Sequence, residues 1–140
     1  MKILLPIDGS AYTKKMLAYL STHDEMFSPN HEYTLLNVQV PLPPRARAAV
    51  GADVAKQYYT EEADKLSRPV FKFLQRHGIE PTIVSKVGNA GETIAKVANS
   101  GEFDLVVMGS HGHSAFGNLV MGSVATQVLA HCKVPVLLVR

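Results

Sequence analysis

Short apolar runs alternate along the chain with longer stretches in which apolar residues recur every three or four positions, and this alternation predicts strands separated by helices. Lys2 to Ile7 is apolar until Asp8-Gly9-Ser10, residues that suit a turn and a helix N-cap, and it reads as a buried strand. Met16, Leu17, Leu20 and Phe27 then trace one helical face up to the break at Ser28-Pro29-Asn30. Glu32 to Val40 is a second strand, closed by Pro41, Pro43 and Pro44. The segment from Pro41 to Val50, with Arg45 and Arg47, reads as a mobile loop. From Gly51 to His77, Val54, Tyr58, Ala63, Leu66, Val70, Phe73 and Leu74 predict a long helix, kinked or divided at Pro69 and stopped by Gly78. Pro81 to Val87, Phe103 to Met108 and Pro135 to Val139 are the remaining strands. Gly91 to Asn99 and Gly122 to Ala130 are the remaining helices, and Gly109 to Val120 is a loop.

Nearly wholly apolar strands alternating with helices belong to a parallel sheet covered on both faces. The expected fold is therefore α/β: five parallel strands, doubly wound, with residues 1–140 forming a single domain. A chain of 140 residues buries roughly two thirds of its unfolded surface, enough for one core. A net charge of +2, with 14 Lys and Arg scattered along the chain, argues against nucleic acid as a partner. No apolar run approaches the roughly 20 residues of a membrane span. The apolar start is too short for a signal peptide, and the single Cys132 suits a reducing compartment, so the expected location is the cytoplasm.

In an open, doubly wound sheet, ligands bind beyond the carboxyl ends of the strands where strand order reverses. The stretch from Gly109 to Ser123, after the fourth strand, is the most informative such place: from Ser110 to Ser123 it contains no acidic residue to repel an anion. Its glycines let backbone N–H groups approach a ligand, and the following helix presents free N–H groups and a positive dipole end. Phosphate is the natural occupant. Ser123 can cap its own helix or donate to a phosphate oxygen. Glycines after a strand also simply make turns, which explains most glycine-rich loops. A P-loop needs a Lys before Ser123, and a dinucleotide fingerprint belongs after the first strand; the chain has neither.

Gly109, two residues, Gly112, nine residues, Gly122 and then Ser123 is a spacing that resembles the nucleotide-binding motif of the universal stress protein family. The likeness extends along the whole chain, through Pro6-Ile7-Asp8-Gly9-Ser10, Leu35-Leu36-Asn37-Val38, Gly88 with its following helix, Val106 to Ser110, and Val134 to Val139. The family has an ATP-binding branch that carries the glycine motif and a branch that lacks it, and this sequence resembles the first. The resemblance implies a Rossmann-like sheet in the order 3-2-1-4-5 and ATP as ligand, with magnesium or manganese accompanying the phosphates in some members. It implies Gly109, Gly112, Gly122, Ser123 and Val124 at the phosphates, Asp8 at the ribose, Val38 at adenine through its backbone, and Pro6 and Met108 as apolar walls. It also implies a stress-response regulator that acts on an unidentified protein partner and dimerises through its last strand. Where the family frequently has Gly-x-Pro after the third strand, this chain has Gly88-Asn89-Ala90.

Individual residues carry competing readings. Asp8 either accepts from a ribose or caps the first helix. His111 and His113 could ligate a metal, but without an obvious third ligand they are better suited to phosphate contact, strengthening as pH falls. Cys132 beside Lys133 reads as packing, and Arg45 and Arg47 either close over a phosphate or stay solvated. A phosphoryl-accepting receiver domain is excluded, since it needs paired acids and Asp8 is followed by Gly9. Three readings remain: a nucleotide-dependent switch, an ATPase slowed by the missing Lys and the lack of a carboxylate in the loop, and a dimeric scaffold without nucleotide. The final strand, Val134 to Val139, is an apolar edge that pairing would protect.

Overall fold

The computed structural model describes residues 1–113 and 120–140. The elements run β1 (Lys2–Pro6), α1 (Ala11–Ser21), β2 (Glu32–Gln39), α2 (Pro44–Val50), α3 (Ala52–Arg76), β3 (Thr82–Val87), α4 (Ala90–Ser100), β4 (Leu105–Gly109), α5 (Ser123–His131) and β5 (Val136–Val139). Five parallel strands form one sheet in the order β3-β2-β1-β4-β5, as expected.

Because successive side chains on a strand point to opposite faces, each buried strand feeds two cores. Ile3, Leu5 and Ile7 of the β1 segment meet Met16, Leu17 and Leu20 of α1 and Val70 and Leu74 of α3. Leu4, Leu36, Val106 and Met108 meet Ile94 and Ala98 of α4 and Ala125 and Val128 of α5 on the other face. The central strands are apolar on both faces for this reason. β3 is an edge, and its Ile83 and Val87 are exposed.

Three expectations are corrected. The first helix stops at Ser21 and does not reach Phe27, although Phe27 is buried in the core. The Thr22 hydroxyl donates to the Tyr19 carbonyl at 2.9 Å, and His23 Nδ1 lies 2.7 Å from the same oxygen, so side chains satisfy the last turn in place of further helix. The Pro41–Val50 segment is not all loop, since Pro44 to Val50 is helical with Pro44 in the first turn, a position where its missing N–H costs nothing. Pro69 does not divide α3, which runs unbroken over 25 residues with Ala55, Ala63, Ser67, Val70 and Leu74 on its buried face.

Candidate functional site

The strand order reverses between β1 and β4, and beyond their carboxyl ends lies a cleft of about 390 Å³. All nine residues that the family resemblance implies line it: Pro6, Asp8, Val38, Met108, Gly109, Gly112, Gly122, Ser123 and Val124. Its surface divides into three chemically distinct parts.

The first is an apolar slot. Pro6, Val38 and Met108 are joined there by Leu36, Ala90 and Ile94, which belong to the sheet and to α4. Sequence reasoning missed these three because a residue of the core face and a residue of a cleft wall have the same period. The slot also carries a free backbone edge. Pro6 is the last residue of β1 and pairs with Leu36, whose carbonyl accepts from the Ile7 amide at 2.9 Å. Alternation turns the Val38 amide and carbonyl to the same side, two residues past the end of β1, where no strand receives them.

The second part is the Asp8 carboxylate. Oδ1 accepts from the Ser10 amide and from the Thr13 hydroxyl, each at 2.9 Å, and Thr13 Oγ1 in turn accepts from the Asp8 amide at 3.2 Å. Ser10 occupies the N-cap position of α1 but makes no side-chain cap bond, so Asp8 supplies the side chain that ties the turn to the helix. Both readings of Asp8 therefore have a place: Oδ1 serves the turn, while Oδ2 lies beside Gly112 with no hydrogen-bond donor among the described residues. Thr13 was not identified from the sequence, because a Thr in a first helical turn has no distinguishing pattern.

The third part is the start of α5. The Gly122 amide donates to Ser110 O at 2.7 Å, which closes the loop, and Gly122 O accepts the first helical bond from Thr126 N at 3.0 Å. The amides of Ser123, Val124 and Ala125 are then the first-turn donors that no helical carbonyl receives, and the first turn contains no acid. Gly109 packs against Tyr12, where an added Cβ would stand 2.6 Å from the Tyr12 Cβ.

The two histidines also line the cleft. His111 Nδ1 is 2.7 Å from Ser110 Oγ, and its ring lies 4.8 Å from that of Tyr12. His113 Nε2 donates to the Asp8 carbonyl and ties the loop to the end of β1. Among the described residues no group of three or more His, Cys, Asp or Glu could hold a metal. The stretch 114–119 of the predicted loop lies outside the described residues. Arg45 and Arg47 sit exposed on α2 and do not line the cleft.

The sequence model of the universal stress protein family matches residues 1–140. The chain belongs to this family. Universal stress protein Slr1230 of Synechocystis is 32% identical over 140 residues, covering 99% of this chain and 42% of that protein. Universal stress protein MJ0577 of Methanocaldococcus jannaschii is 33% identical over 85 residues, covering 61% of this chain and 52% of that protein. The chain thus spans about half the length of these two relatives. A solved structure of MJ0577 superposes with a TM-score of 0.82 at 28% identity, covering 99% of this chain and 94% of that one. A family protein from Arabidopsis thaliana, solved with AMP bound, shares the fold with a TM-score of 0.69 at 16% identity, covering 99% of this chain and 90% of that one. Among the described residues no helix is long and apolar enough to cross a membrane.

Proposed function

We propose that this universal stress protein is an ATP-binding regulator whose cleft holds the nucleotide across the ends of β1 and β4. The observation that carries the reading is that one cleft sorts three chemistries in the order a nucleotide presents them. An apolar slot with the unpaired Val38 edge suits adenine, whose rim both donates and accepts. A carboxylate oxygen on Asp8 suits sugar hydroxyls and repels phosphate. The acid-free start of α5, with its three free amides and Ser123, suits the phosphates. A cleft of about 390 Å³ is of ligand size. The AMP held by the Arabidopsis family protein supports an adenine nucleotide as the class of ligand.

The phosphate end is built to bind and poorly built to react. Among the described residues no Lys or Arg lines the cleft, and Asp8, the one carboxylate among them that does, has Oδ1 committed to the turn. Hydrolysis is at most slow, because positioning without a general base or a cationic side chain among the described lining residues leaves the transition-state charge less well compensated. Magnesium or manganese, where bound, would accompany the phosphates, whose oxygens are hard ligands for it. Two anchors support a regulatory reading: His113 bonds the Asp8 carbonyl and Gly122 bonds Ser110, so a nucleotide seated between them would favour the conformation in which both bonds are made.

Calorimetric titration of nucleotide-free protein with ATP, ADP and AMP, with and without magnesium, tests the reading. Affinity is expected to fall as phosphates are removed. Gly122→Val is expected to abolish binding, since a Cβ there would stand 3.1 Å from the His111 Cα and 3.3 Å from Ser110 O and push the loop away. No binding to wild-type protein would leave the scaffold reading in its place.

A further inference from the structure

We propose that Thr13 is a positioning residue that gives the cleft its preference for a sugar with free vicinal hydroxyls; this rests on the nucleotide reading above. A carboxylate on a strand end can turn about its side-chain torsions, and its rotamer decides whether an oxygen faces a ligand. Here the rotamer is held from two directions. The Ser10 amide and the Thr13 hydroxyl both donate to Oδ1, and the Asp8 amide donates back to Thr13 Oγ1. The Ser10 bond is main-chain and survives any substitution at position 13. The Thr13 bonds are the ones a side chain controls.

Thr13 is 6% exposed and lines the cleft. Thr13 lies in the first turn of α1, where no preceding helical turn offers its hydroxyl a carbonyl, and it spends its one proton on Oδ1, which leaves Oδ2 beside Gly112 as the acceptor without a donor among the described residues. An acceptor fixed in that way rewards a ligand hydroxyl and penalises a ligand that lacks one, because the carboxylate oxygen is then desolvated and unpaired. The ligand class is therefore a ribonucleotide, discriminated from sugars without the hydroxyl pair, and Thr13 acts on that discrimination through Asp8.

The test compares ATP with its dideoxy analogue by calorimetry on wild type, Thr13→Val, Thr13→Ser and Thr13→Ala, with thermal melts to verify folding. Wild type is expected to prefer ATP by roughly tenfold or more. Thr13→Val is expected to lose most of that preference by weakening ATP alone, and Thr13→Ser to restore it. If Val is not accommodated, Thr13→Ala carries the same expectation. Equal weakening of both nucleotides, or no change in either, would reduce Thr13 to a structural residue and overturn the inference. A wild type that binds both nucleotides equally overturns the inference and leaves the nucleotide reading intact, whereas a wild type that binds neither removes both.

Discussion

A Cβ on Gly112 would stand 2.9 Å from Oδ2 of Asp8, closer than a carbon tolerates against that oxygen. The glycine at the heart of the motif is thus tied to a carboxylate at the other end of the chain. Gly112 is not among the glycines with positive φ, so alanine suits its backbone and the effect of substitution falls on Asp8. Gly112→Ala is expected to turn the carboxylate away from the sugar position and to lower ATP affinity about tenfold or more, the scale of a lost hydrogen bond to a charged group. The melting temperature should change little. Titration beside a thermal melt checks this, and a binding loss that merely follows unfolding would count against the role given to Oδ2.

Gly109 belongs to the same motif for a different reason. Its missing side chain admits the first turn of α1, with the Tyr12 Cβ at 2.6 Å and the Tyr12 carbonyl carbon and oxygen at 3.2 Å from an added Cβ. Backbone cannot swing aside as a carboxylate can. Gly109→Ala is expected to destabilise the fold by about 1–3 kcal/mol with no nucleotide present, the cost of overpacking. Urea unfolding of the ligand-free protein measures it. Unchanged stability would mean that α1 can shift away from β4.

These two glycines show what the sequence could reveal and what it could not. The strand-end rule and the glycine spacing point to the cleft, and the nine residues that the family resemblance implies all line one cavity. The central strands were legible because a strand buried on both faces is apolar throughout, as Ile3, Leu4 and Leu5 are. Spacing could not separate Gly109, which answers to Tyr12, from Gly112, which answers to Asp8, because both neighbours are distant in the chain. α2 escaped notice since its seven residues bury nothing and so impose no hydrophobic period. Pro43 and Pro44 end a strand in any reading of the pattern, but a proline is equally at home in a first helical turn, and the pattern alone does not separate the two. Thr13 was invisible for a related reason: a hydroxyl is recognised as functional only once its partner is known.

Tyr33 gives the fold a measurable pH dependence. Its hydroxyl donates to the Met26 carbonyl at 2.6 Å and accepts from the Ser28 amide at 2.9 Å, pinning the segment after α1 to the sheet. Burial raises its pKa above the ordinary 10.0, while the Ser28 hydrogen bond opposes the rise. Above pH 10 the unfolded chain therefore gives up the proton before the folded one does. Stability due to this group is complete below pH 10 and is lost as pH rises through the folded value. Tyr33→Phe should remove that alkaline decline and cost about 1–3 kcal/mol at neutral pH, since Met26 O and Ser28 N lose their partner. Urea midpoints at neutral pH and above pH 10 decide it: an unaltered alkaline slope in the variant would assign the decline to other groups.

β5 closes the sheet on one side and leaves an open edge. Val106 N donates to Pro135 O and Ser110 N to Val139 O, so the odd-numbered residues of this strand face β4. Alternation turns the amides and carbonyls of Val136 and Leu138 outward, without a strand partner among the described residues. We infer that a second copy pairs there across a twofold axis, which sets the two β5 strands antiparallel. Val136→Pro removes an outward N–H while sparing the bonds to β4, and it leaves the cleft residues untouched. Wild type is expected to sediment as a dimer at micromolar concentration and Val136→Pro as a folded monomer that still binds ATP. A monomeric wild type would rule out the pairing, and a dimeric Val136→Pro would move the interface to another face.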